Sequence, residues 1–165
     1  MPQKENAFRT RFNKMLKEKY GSSLYMQKHH GSEYSSGLPD MLYVWSDTVL
    51  FAEFKSLVMP TRPGSTAFWF ADEPTALQLN TLLSIDKARS KSACIIVHFD
   101  GTDKLFVAFA RAVEKCRALN MVLTREYIEH PTSEGVVDYK ELRKAGAPLP
   151  VLLMAAQSFD IKMGV

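Results

Sequence analysis

The spacing of apolar and polar positions changes several times along the chain, and each change marks an element. In residues 4–20, Phe8, Phe12, Met15 and Leu16 recur at helical spacing. Lys14, Lys17 and Glu18 fall on the other side, so the stretch predicts an amphipathic helix ended by Gly21. Residues 23–29 read as a strand and 30–38 as a turn. Two apolar runs, 40–46 and 48–56, predict strands joined as a hairpin at Ser46-Asp47. Residues 57–73 carry Pro60, Pro63, Gly64 and the cluster Phe68-Trp69-Phe70, and predict a long loop of functional or mobile character. Asp72-Glu73-Pro74 is a helix-start signature for a helix ending near Ser90. Strands follow at 92–99 and 104–110, linked through Asp100-Gly101, then a helix at 111–119. Helical pieces are expected near 124–130 and 138–145, with Gly146 as a stop. Residues 147–165 are apolar without a clear period. The order of elements predicts an α/β protein with a mixed central sheet flanked by helices.

Composition bounds the class. At 165 residues, 46% hydrophobic and 24% charged, the chain is long enough for one core and one domain over 1–165. The core is expected over about 4–119, with 120–165 as an accessory segment. A net charge of +3 sets up no global field, but the charge is uneven. Residues 1–35 hold seven Lys/Arg against three Glu, and residues 36–110 hold six against eight acids. A basic segment beside an acidic one suits a phosphate-binding surface next to a metal-binding one; a solvated helix face reads the same way. Cys94 sits in an apolar run and Cys116 in a helix-like segment, with neither metal spacing nor a disulfide implied. The N-terminus lacks the apolar stretch of a signal peptide, and no run is long enough to span a membrane, so a cytoplasmic protein is expected.

The candidate chemistry lies in GLPDMLYVWSDTVLFAEFKS, residues 37–56. Glu53 and Lys55 are two apart in a strand and share a face. If the hairpin pairs about Ser46-Asp47, Asp40 comes close to Glu53 and Phe54. Two neighbouring carboxylates stay ionised only beside a positive partner, and a divalent cation suits two hard oxygens. Lys55 would then stand where an ammonium can orient an attacking water or stabilise phosphate charge. An Asp turn beside a solvated strand edge is the plainer reading of the same residues.

Pro39-Asp40, twelve residues, then Glu53-Phe54-Lys55 resembles the PD-(D/E)xK nuclease motif. Gly37-Leu38-Pro39-Asp40 resembles the GxPD of its VRR-NUC and phage and archaeal Holliday junction resolvase-like branches. The resemblance covers residues 5–98 and implies a restriction-endonuclease-like core. It implies Asp40 and Glu53 as Mg²⁺ ligands (Mn²⁺ as substitute), the Phe54 carbonyl completing the coordination, and Lys55 as catalytic. It also implies two further residues. Glu5 falls inside the apolar arc of the first helix and is a third metal carboxylate, or else a first-turn Glu serving the helix N-terminus. Gln78 corresponds to a Gln that reaches back to the site, although the 23 positions separating it from Lys55 exceed the family's usual short link; an exposed helix Gln is the alternative. The implied activity is a metal-dependent DNA endonuclease, selective for branched DNA or Holliday junctions, with a phage-encoded enzyme inside its host cell and a homodimer as the expected setting. A nuclease-fold DNA-binding accessory or recombination protein that does not cut is the alternative.

Nucleic-acid contacts are expected from Lys28, Ser35 and Ser36 ahead of the motif, from Arg9 on the first helix, and from Arg62 and Trp69 in the long loop, where aromatics can stack on unpaired bases or anchor the loop to the core. Adjacent strand residues point to opposite faces, so His29 and His30 are expected at the surface rather than on one ion. The chain has no GK[ST] phosphate loop, no GxSxG, no HExxH and no CxxC.

Overall fold

The computed structural model describes residues 2–29 and 37–165. Along it run α1 (Pro2–Tyr20), β1 (Leu24–Lys28), β2 (Met41–Trp45), β3 (Thr48–Val58), β4 (Thr66–Trp69), α2 (Ala76–Ala88), β5 (Ala93–Asp100), β6 (Lys104–Phe109), α3 (Ala110–Ala118), β7 (Val122–Thr124), α4 (Arg125–Glu129), β8 (Val136–Asp138), α5 (Tyr139–Lys144) and α6 (Pro148–Met163). Among the described residues, six strands form the main sheet in the order β1-β2-β3-β5-β6-β8. β3 and β5 run parallel and their other partners antiparallel, so the sheet is mixed, and the class is α/β as the sequence pattern predicts.

Strand periodicity divides the core. Ala52, Phe54, Cys94, Ile96, Leu105 and Val107 face Phe8, Phe12 and Leu16 of α1. Ile95, Val97, Phe106 and Ala108 face Leu79 and Leu82 of α2 and Val113 of α3. Cys94 and Cys116 are free and buried, one on each side. The hairpin register, Trp45↔Thr48 to Met41↔Ala52, leaves Ser46-Asp47 as its turn. It also ends β2 two positions short of Phe54, opening one edge of β3 near Asp40.

One expectation is corrected, and one stretch left open by its pattern is resolved. Residues 57–73 are not one loop: β3 continues through Val58, and β4 pairs antiparallel with β7 as a two-stranded ribbon. Its aromatics divide by face: Phe68 and Phe70 are fully buried, while Trp69 is half-exposed. The apolar C-terminal stretch is α6, which places Leu149, Leu152 and Ala156 against the α1 side and Phe159 and Met163 against the other. Serving both cores makes the helix apolar nearly all round and hides its period. Of its apolar segment 151–154, Leu152 is core and Met154 is exposed. Among the described residues no helix is long and apolar enough to cross a membrane.

Candidate active site

Asp40, just ahead of β2, bridges the open edge. Its Oδ2 accepts the Phe54 backbone N–H at 2.8 Å, replacing the ladder bond that β2 no longer supplies. An extended residue presents N–H and C=O to the same edge, so the Phe54 carbonyl faces that side too. The turn ahead of Asp40 is braced twice. The His29 ring lies against the Pro39 carbonyl with Nδ1 at 2.6 Å, and the His29 N–H donates to the Asp40 carbonyl at 2.9 Å. Gly37 takes a φ of +87°, and a Cβ there would lie 2.6 Å from Leu77 Cγ, so a glycine lets this turn approach the start of α2.

Glu53 is almost fully buried on β3. Its Oε1 lies 3.2 Å from Lys55 Nζ and accepts a hydrogen bond from the Gln78 side-chain amide. The same amide closes a capping box: its oxygen accepts the Thr75 N–H at 2.9 Å, and Thr75 Oγ1 accepts the Gln78 N–H at 3.3 Å. Gln78 therefore couples the α2 N-terminus to the acid of the ExK pair, across a connection lengthened by the β4 ribbon. Glu53 Oε2 is buried and has no partner. Burial first, and the neighbouring Asp40 second, push the Glu53 carboxyl up to about 8, against the pull of Lys55.

Glu5 is half-buried in the first turn of α1. Burial raises its pKa; Lys55 and Arg9 oppose this, and Asp40 adds to it, so its charge is felt by the cluster. Burial also works against the charge of Lys55, but Glu53, Glu73 and Glu5 more than offset it and its pKa is raised. Lys55 is thus a cation and a hydrogen-bond donor at neutral pH, and not a base.

Two residues have unexpected places. Arg9, expected as a phosphate contact on an exposed helix face, turns inward and is 6% exposed. Its guanidinium lies 2.9 Å from Asp40 Oδ1, because α1 packs this face over the end of β3. Glu73, read in the sequence as part of a helix start, places Oε2 3.3 Å from Lys55 Nζ. Neither contact follows from local pattern, since each joins segments far apart in the chain. Lys28 is exposed and pairs across the ladder with Met41, next to Asp40. Arg62 and Trp69 are exposed on the connection after β3, whereas Ser35, Ser36 and His30 lie outside the described residues.

Four carboxylates (Glu5, Asp40, Glu53, Glu73) therefore gather around two cations, Arg9 and Lys55. The surplus negative charge, the hard oxygen donors and the orphaned Glu53 oxygen fit a divalent cation. Among the described residues, no group of three or more His, Cys, Asp or Glu side chains is arranged to hold an ion unaided.

No family model matches the chain, and no curated protein matches it. Among solved structures, it is similar to Hjc, a Holliday junction resolvase of the archaeal hyperthermophile Archaeoglobus fulgidus. The match has 15% identity and a TM-score of 0.38, and covers 85% of this chain and 92% of that one.

Proposed function

We propose that the protein is a divalent-metal-dependent DNA endonuclease of the PD-(D/E)xK type, with branched DNA as its preferred substrate. The observation that carries this reading is the convergence of Asp40, Glu53 and Lys55 at the open edge of β3, with Glu53 buried and half-partnered. Asp40 and Glu53, with the Phe54 carbonyl and Glu5 beside them, would hold the cation. When bound, Mg²⁺ supplies Lewis-acid polarisation of the phosphoryl group and an acidified water.

The chain's own residues do the rest. Lys55 offers N–H donors to a phosphate oxygen as charge builds there. Gln78 holds the Glu53 carboxylate in one orientation, and Arg9 does the same for Asp40. Hydrolysis adds water across one P–O bond and leaves a phosphate monoester and a hydroxyl. Exposed Lys28, at the end of β1, is placed to follow the backbone. The preference for branched DNA rests on the GxPD and ExK resemblance, and so does a homodimer, for which the exposed Met154 and Ile161 of α6 offer apolar surface.

The test is cleavage of a four-way junction, a flap, a single strand and a linear duplex in Mg²⁺, Mn²⁺ and EDTA. Metal-dependent cutting with the junction preferred is the expected result. Tight binding to the junction with no cutting in any metal would replace this reading with the non-cleaving accessory protein.

A further inference from the structure

Lys55 is held from two sides. On its own strand it meets Glu53, and from another segment it meets Glu73, which sits in the connection between β4 and α2. That connection is firmly built. The Glu73 and Asp72 N–H groups both donate to the Trp69 carbonyl, at 3.2 and 3.1 Å. Arg117 on α3 donates Nε–H to the Phe70 carbonyl at 2.7 Å and its Nη2 to the Pro74 carbonyl. Phe70 is fully buried, and Thr75 caps α2 immediately afterwards. The backbone at Glu73 is thus anchored on both sides, and of two adjacent acids one turns inward while Asp72 stays exposed.

One oxygen of the Glu73 carboxylate is turned to Lys55: its Oε2 is buried, accepts no hydrogen bond, and has that ammonium as its ion-pair partner, while the side chain is 35% exposed. A lysine ammonium has three donors and a flexible stem. With Glu53 as its sole partner it would close onto that acid and compete with whatever Glu53 is meant to hold. A second carboxylate on a fixed loop shares the ammonium, which lies 3.2 Å from Glu53 Oε1 and 3.3 Å from Glu73 Oε2.

We propose that Glu73 is a positioning residue for Lys55, fixing the ammonium between β3 and the 70–75 connection so that it meets the scissile phosphate from one place. This rests on the nuclease reading above. The consequence is a loss in kcat rather than in KM, because Glu73 touches the lysine and not the DNA. Glu73→Ala should lower kcat by about 10²-fold, the scale of a misplaced catalytic group. Glu73→Gln should fall between wild type and Glu73→Ala, since a neutral amide keeps the side chain's size and a partly negative oxygen beside the ammonium but loses the full charge. Asp72→Asn, which removes a like charge one residue away, should leave kcat unchanged.

The experiment pairs these rates with acetylation of Lys55 by acetic anhydride, followed by peptide mass spectrometry on the full chain without metal. Faster Lys55 acetylation in Glu73→Ala, with the graded kcat loss, supports the proposal. Wild-type kcat in Glu73→Ala, in a protein that does cleave DNA, overturns it and leaves the nuclease reading standing. If the wild type cleaves nothing, the nuclease reading falls and the acetylation rates alone decide: a rise in Glu73→Ala but not in Asp72→Asn supports the Glu73 contact, and equal rates overturn it.

Discussion

Among the described residues, carboxylates are almost fully buried in two places, and their surroundings differ. One is the Glu53 cluster at the open edge of β3. The other lies between helices, where Asp86 of α2 and Asp160 of α6 are both almost fully buried. Each has an orphaned oxygen, Glu53 Oε2 and Asp160 Oδ1. Each has an acid with a raised pKa: Glu53 at about 8, and Asp160 at about 6, through burial first and then Asp86, against Lys91. What separates them is the company. Asp86 takes the Lys91 N–H at 2.9 Å and meets the largely exposed Arg111 at 3.4 Å. The Glu53 cluster draws two nearly buried cations and three further acids from α1, the β2 entry and the β4–α2 connection. A raised carboxylate pKa thus marks burial. Surplus charge gathered from several elements, beside a strand edge left open, marks a candidate site.

The largest test of this contrast is on activity. Asp40→Asn should cost about 10³-fold in cleavage rate, the scale for removing one preorganised electrostatic group. Its DNA binding, read by fluorescence anisotropy in EDTA, should hold or improve because a negative charge is gone. Asp160→Asn should cleave at the parent rate. On stability, Arg9→Ala should cost about 3–5 kcal/mol in urea unfolding, since it strands a partly buried acid. Phe70→Ala should cost a similar amount as a core truncation, about 3–5 kcal/mol.

Their exposed counterparts sharpen the contrast. Arg111→Ala should cost less than Arg9→Ala in the same titration, because its guanidinium is largely exposed and Asp86 keeps the Lys91 N–H. Trp69→Ala should leave the unfolding midpoint nearly unchanged and shift the ratio of branched to linear cleavage if the ring meets DNA. The smallest effect is one of pH. The Asp160 carboxyl is raised in the folded protein from about 3.8 to about 6, so the native state binds the extra proton. Its contribution is present below the lower value and is lost as pH rises through the upper one. Asp160→Asn should therefore gain melting temperature over the parent as pH climbs from 4 to 7, and a constant difference would contradict the assignment.

Much of this was legible in the chain. Periodicity placed α1, the hairpin, β5 and β6, and the hairpin register carried Asp40 to Phe54 without further information. Phe54, Glu53 and Lys55 alternate faces as strand geometry requires. What escaped was long-range. β4 is short and its partner β7 comes much later, so its residues resemble a loop until the ribbon closes. Arg9 looks like one of several helix cations until α1 docks on β3. Glu73 follows a helix-start pattern, although the cap that forms is Thr75 with Gln78, a T-x-x-Q box present in the sequence. That signal could have been read, and it would have released Glu73 for another role.

The most direct test of the central claim is a single measurement: cleavage of a four-way junction by wild type and by Lys55→Ala, side by side, in Mg²⁺ and in EDTA. The account predicts cutting by the wild type in Mg²⁺ alone and none by Lys55→Ala under either condition. Full activity in Lys55→Ala, or cutting that persists in EDTA, would contradict it.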